Sequence, residues 1–108
     1  MFRHGNLFYP LPDAGSGEVF EDLIKTSLVR IERIVSRGQT SPERGWYDQA
    51  EHEWVVVLKG AAELTFEQGE VVKLGAGDHV HIPAHTKHKV SWTDPESETV
   101  WLAVFYQK

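Results

Sequence analysis

The sequence contains no cysteine, which removes disulfides, thiolate nucleophiles and sulfur-ligated metal centres; any metal held by this chain must sit on nitrogen and oxygen donors. It also lacks a long hydrophobic run. No window approaches the ~18 apolar residues of a membrane span, and Met1-Phe2-Arg3-His4-Gly5-Asn6 has no uninterrupted apolar stretch of the kind a secretory leader needs. A cytoplasmic protein with no membrane partner is expected. Positive charge is sparse: 11 basic side chains face 16 acidic ones for a formal charge of −5, with no basic cluster, so nucleic acid is not an expected partner. The glycine-rich phosphate loops, the Gly-x-Ser-x-Gly elbow and the His-Glu-x-x-His zinc helix are all missing, which removes support for nucleotide binding and serine hydrolysis.

What is present suits one globular domain covering residues 1–108. A chain of 108 residues can bury a real core, and four Trp, five Phe and three Tyr supply bulk to fill an interior or line a cavity. Asn6 to Tyr9 reads as a short extended arm, and Pro10 to Gly17 as a loop rich in turn residues. Val19 to Lys25, with apolar Val19, Phe20, Leu23 and Ile24, fits either a weakly helical turn or an irregular edge segment. Residues 1–27 are accordingly expected as arm and loop, and 28–107 as a β-barrel. From Leu28 to Val35 charges alternate with β-branched residues as in a half-buried strand. Turn residues then recur at Lys59-Gly60, Gln68-Gly69, Gly75 to Asp78, Pro83 and Asp94-Pro95, with runs of Val, Leu, Ile, Phe and Trp between them. No interval is long enough for a crossover helix, so the fold class is all-β, a sandwich or barrel.

Two runs, Glu53-Trp54-Val55-Val56-Val57-Leu58 and Trp101-Leu102-Ala103-Val104-Phe105-Tyr106, are apolar on both faces and should be central strands covered on both sides. One face meets the interior. The other needs the N-terminal segment or a second copy of the chain, so a homodimer is expected, with the arm of residues 2–9 either capping its own barrel or crossing to the partner.

Gly77-Asp78-His79-Val80-His81-Ile82-Pro83-Ala84-His85-Thr86-Lys87-His88, taken with Glu53 to Gly60, resembles the two cupin motifs. The resemblance spans roughly Gly45 to Tyr106 and implies a single-domain jelly-roll barrel. Glu53 and Gly60 keep the spacing of the first motif, but Tyr47 and Gln49 stand where that motif has its two His. Gly77, Asp78, Pro83 and His88 match the second motif in order and spacing, whereas His85 stands at a usual Gly and Trp92 at a usual Asn. In cupins these positions converge on a divalent transition metal. Here that implies Glu53 and His88 as ligands to Zn, Mn, Fe or Ni.

Two further residues are candidates for the metal set. His85 lies three residues before His88 at a turn, and would complete a two-His, one-carboxylate set or else simply occupy an exposed turn. Gln49 would coordinate through its amide oxygen, or hydrogen-bond a ligand or metal-bound water, which is the better match because neutral amides bind transition metals poorly. Tyr47, Val90 and Trp92 are expected to wall the pocket, the last two by alternation from His88. Asp48 reads as a solvated loop carboxylate, and His52, His79 and His81 as outward-facing. Two functions follow: a metal-dependent protein acting on a small oxygen-bearing molecule, or a non-catalytic, metal-free binding module whose polar groups hold the ligand directly.

Overall fold

Short runs of alternating side chains, broken by glycine turns, fold here into eight strands and, among the described residues, no helix. The computed structural model describes residues 1–107. Its strands are β1 (Val19–Lys25), β2 (Val29–Ser36), β3 (His52–Lys59), β4 (Ala61–Phe66), β5 (Val71–Gly75), β6 (His79–Ile82), β7 (His88–Thr93) and β8 (Thr99–Tyr106). They make two sheets, one of five strands in the order β1-β2-β8-β3-β6 and one of three in the order β5-β4-β7. Every neighbouring pair is antiparallel. This is the expected all-β jelly roll.

The inner faces meet in one core that includes Ile34, Val57, Ala62, Leu64, Trp101 and Ala103. The two doubly apolar runs are interior strands of the large sheet, β3 between β8 and β6, and β8 between β2 and β3. The turn joining β3 to β4 depends on Gly60. Its φ is +96°, and a Cβ there would lie 2.7 Å from the Thr99 Cα, so both conformation and space require glycine.

Val19 to Lys25 is a strand, not a helical turn, and the barrel begins at Val19 rather than at residue 28. The segment pairs with β2 from Val19↔Val35 to Lys25↔Arg30, with a register shift between Asp22 and Ile24. That irregularity at Leu23 breaks strict alternation and leaves two adjacent apolar pairs, which in sequence imitate a turn of amphipathic helix.

On the outward face of β2, Arg33 is buried and donates to the carbonyls of Leu7 (3.1 Å) and Pro10 (3.2 Å), fixing the arm across the sheet. Gln39 holds the following loop by donating to the Ala14 carbonyl at 2.6 Å. Part of the outer face is thus covered by the chain's own N-terminal segment. Met1, Phe2, Phe8 and Tyr9 themselves remain exposed.

Candidate functional site

Strand register sets the site. Arg30 of β2 pairs with Phe105 of β8, which pairs with Glu53 of β3, so these three side chains form one row on the inner face of the large sheet. The next row is Glu32, Ala103 and Val55. Opposite stand His88 and Val90 of β7. Between the sheets lies a cavity of about 440 Å³, walled by both polar rows and floored by apolar residues such as Ile34, Leu64 and Trp101.

Glu53 and His88 face each other across this cavity and are both buried. The Glu53 Oε1 and His88 Nε2 atoms are 3.4 Å apart. Gln49 donates its amide to the same Glu53 oxygen at 3.1 Å. His88 Nδ1 lies 2.7 Å from the Thr86 carbonyl, which can only accept, so Nδ1 carries a hydrogen and Nε2 is the atom turned to the cavity. Burial depresses the His88 pKa, but the Glu53 hydrogen bond, the Thr86 carbonyl and the Glu53 charge outweigh it and raise the imidazole above its usual value.

Tyr47 is brought in by a backbone bridge to His88: Tyr47 N donates to the His88 carbonyl at 2.7 Å, and His88 N to the Tyr47 carbonyl at 3.2 Å. The two rings are 5.6 Å apart. Burial, added to the carboxylates of Glu18, Glu53 and Glu32, raises the Tyr47 phenol against an opposing hydrogen bond with Ser41, so it stays protonated. Tyr47, Gln49, Glu53, His88 and Val90 all line the cavity.

His85 and Trp92 do not join them. His85 has φ +60°, the left-handed conformation that explains why cupins place glycine at this position. Its side chain is 66% exposed and meets Asp48 at 2.8 Å, so it is turned away from Glu53 and His88. Asp48 is therefore the partner of a turn histidine and not a free loop carboxylate. In β7, Leu64 pairs with Val90 while the adjacent Glu63 pairs with Trp92. Ser91 is the extra residue of this bulge, held by its hydroxyl donating to the Glu63 carbonyl and accepting from Thr65. Val90 thus keeps the inward face and Trp92, which simple alternation would put inside, is exposed. His52, His79 and His81 lie on the outer face as expected, with His52 and His81 grouped around Tyr106.

A second polar cluster lines the cavity that motif reasoning does not reach. Arg30 donates to Glu32 at 2.7 Å and to Glu51 at 3.0 Å, and its guanidinium lies 3.9 Å above the centre of the Phe105 ring. Burial raises the Glu32 carboxyl more than Arg30 lowers it. The signal was in the alternation of β2, where Arg30 and Glu32 share a face with Ile34. The charges, read alone, suggest solvent. Among the described residues, no group of three or more His, Cys, Asp or Glu side chains is placed to hold a metal ion.

No curated protein matches this chain. Among solved structures, a protein from Ralstonia eutropha JMP134, provisionally named a mannose-6-phosphate isomerase, is 42% identical with a TM-score of 0.91, over 98% of this chain and 99% of that one. An RmlC-like cupin protein from Desulfovibrio desulfuricans shares the fold at 18% identity and TM-score 0.81, covering 98% and 97% of the two chains. A sugar phosphate isomerase from a cupin superfamily, from Silicibacter pomeroyi, shares it at 21% and 0.69, covering 88% of this chain and 63% of that one. Residues 33–105, which contain both motif regions and the strands that carry Glu53 and His88, match the Cupin domain family, and the chain belongs to that family.

Proposed function

We propose that this protein binds a small, oxygen-bearing molecule in the barrel cavity, against a divalent transition ion held by Glu53 and His88. One observation carries the reading. Glu53 Oε1 and His88 Nε2 are both acceptors when the imidazole is neutral, and they face each other at 3.4 Å with His88 Nδ1 already committed to Thr86. Such a pair calls for a cation between its members. Two donors each about 2.0–2.2 Å from one ion stand roughly 3–3.5 Å apart, so the spacing fits.

Carboxylate plus imidazole suits Zn, Mn, Fe or Ni, and with few protein ligands the ion would keep open positions. When bound, it would polarise an oxygen of the ligand. The protein's own groups do the rest. Gln49 holds the Glu53 carboxylate in orientation, Tyr47 offers a protonated hydroxyl, and the apolar floor around Trp101 and Leu64 excludes water.

The metal-free binding module is the second reading. It is favoured by the Gln49 amide already donating to Glu53 and by the absence of a third strong donor among the described residues. In that case a proton on His88 Nε2 is the bridging cation. Elemental mass spectrometry of tag-free protein decides between them. About one ion per chain, lost in Glu53→Ala and His88→Ala but kept when His52, His79 and His81 are replaced together, supports the metal reading. No ion, or one lost only in the surface variant, supports the second.

We further propose a homodimer, on the exposure of Met1, Phe2, Phe8 and Tyr9 and on the doubly apolar runs of β3 and β8. Light scattering should give twice the chain mass. An unchanged mass after removal of residues 1–9 would show that the arm is not what joins the copies.

A further inference from the structure

Taking the cavity as a small-molecule site, as above, its charge limits what fills it. Three carboxylates line the wall, Glu18, Glu32 and Glu53, against one guanidinium, Arg30, and one imidazole, His88, whose Nε2 faces Glu53, with no lysine. Arg30 is not free to meet an anion. One amino group donates to Glu32, the other to Glu51, and the plane is stacked on Phe105.

A phosphate monoester brings about −1.5 to −2 charges. It is ordinarily gripped by an open arginine fork or by the backbone N–H groups of a helix N-terminus. The fork here is occupied, and the described residues contain no helix. An ion at Glu53 and His88 would add positive charge there only, leaving Glu18 and an Arg30 already matched by Glu32 and Glu51.

The same wall suits hydroxyl groups. Its carboxylates accept hydrogen bonds from them, while Trp101 offers flat apolar surface to the C–H face of a sugar. Arg30 and Glu53 sit two strands apart in one row with Phe105 between them. Their backbones are thus about 9–10 Å apart, a span suited to a single sugar ring. We propose that the cavity selects an uncharged sugar or polyol and discriminates against its phosphate ester, in contrast to what the name of the Ralstonia relative suggests.

The test is titration of the full-length protein, as purified and after loading with Zn²⁺, using D-mannose, D-mannose 6-phosphate, glycerol and glycerol 3-phosphate, followed by ligand-observed NMR and calorimetry. At least one neutral probe should bind about tenfold or more tightly than its ester, since a like charge in a partly desolvated wall costs more than the 1.4 kcal/mol that tenfold represents. Glu18→Gln and Glu32→Gln, each checked for an unchanged melting profile, should narrow that ratio. An ester bound as tightly as its parent by the native protein overturns the selectivity while leaving the small-molecule reading standing. Binding of none of the four, in either metal state, sinks both.

Discussion

The two polar clusters in the barrel cavity differ in how their charges are matched. On β2, the Arg30 guanidinium meets Glu32 and Glu51 and rests on Phe105, so the cluster carries its own counter-charges. Between β3 and β7, Glu53 and His88 point one acceptor each at the other, with the neutral Gln49 amide donating to Glu53, so that cluster is complete only with a proton or metal between them. A compensated cluster shapes and supports a cavity. An uncompensated one gives it somewhere to bind.

The largest effect is expected from breaking the compensated side. Arg30→Leu leaves Glu32 buried without its partner and should cost about 3 kcal/mol at neutral pH, read as a fall in the urea midpoint. Combining it with Glu32→Leu should recover most of that loss, because removing both charges is far cheaper than stranding one. If the double variant is as unstable as the single, the cluster is not a self-contained pair.

On the uncompensated side, His88→Ala should lower metal affinity by more than the 10–100-fold that loss of a mere supporting group brings. Calorimetric titration of Zn²⁺ into metal-free protein measures it. The fold should survive, so near-native circular dichroism must accompany the loss.

Proton linkage separates the clusters by pH window. Glu32 is raised above 4.5 and His88 above 6.5. A group whose folded value is raised contributes stability that is full below its unfolded value and lost as pH climbs through the folded one. In metal-free protein, Glu32→Gln should therefore flatten the fall in stability that begins above 4.5, and His88→Gln the fall that begins above 6.5. With metal bound the neutral-pH trend should reverse, because protons compete with the ion for His88. Denaturation midpoints across roughly pH 4 to 9 test both signs.

The smallest effect belongs to His85, whose side chain lies outside both clusters. His85→Ala should leave metal content unchanged. His85→Gly relieves a left-handed conformation and should raise the melting temperature slightly, by less than about 1 kcal/mol equivalent, since the exposed contact with Asp48 contributes little. A loss of metal in His85→Ala would bring that imidazole back into the site.

Glu53 and His88 are legible in the sequence because each lies at the start of its strand, second in β3 and first in β7, at a fixed distance from a turn glycine, Gly60 or Gly77, and their inward aim follows from alternation. The all-β fold is legible for the same reason, since the turns at Gly60, Gly69 and Gly77 punctuate it. What escapes is set by irregularity and by pairing across the barrel. The register shift near Leu23 disguises β1, and the extra residue at Ser91 reverses the expectation for Trp92. Arg30 and Glu32 look like surface charges until β8 brings Phe105 and Ala103 alongside them.

The extra residue at Ser91 also determines which side chain fills the barrel beside Ala62. With regular alternation after Val90, the indole of Trp92 would enter the barrel beside Ala62. The inserted serine instead brings Thr93 to that place, paired with Ala62 and fully buried, its hydroxyl donating to the Gln39 carbonyl at 2.6 Å. One residue of chain length thus exchanges a large inward side chain for a small one. Deleting Ser91 would turn the indole toward the packed part of the barrel, where Ala62 and Thr93 are already fully buried.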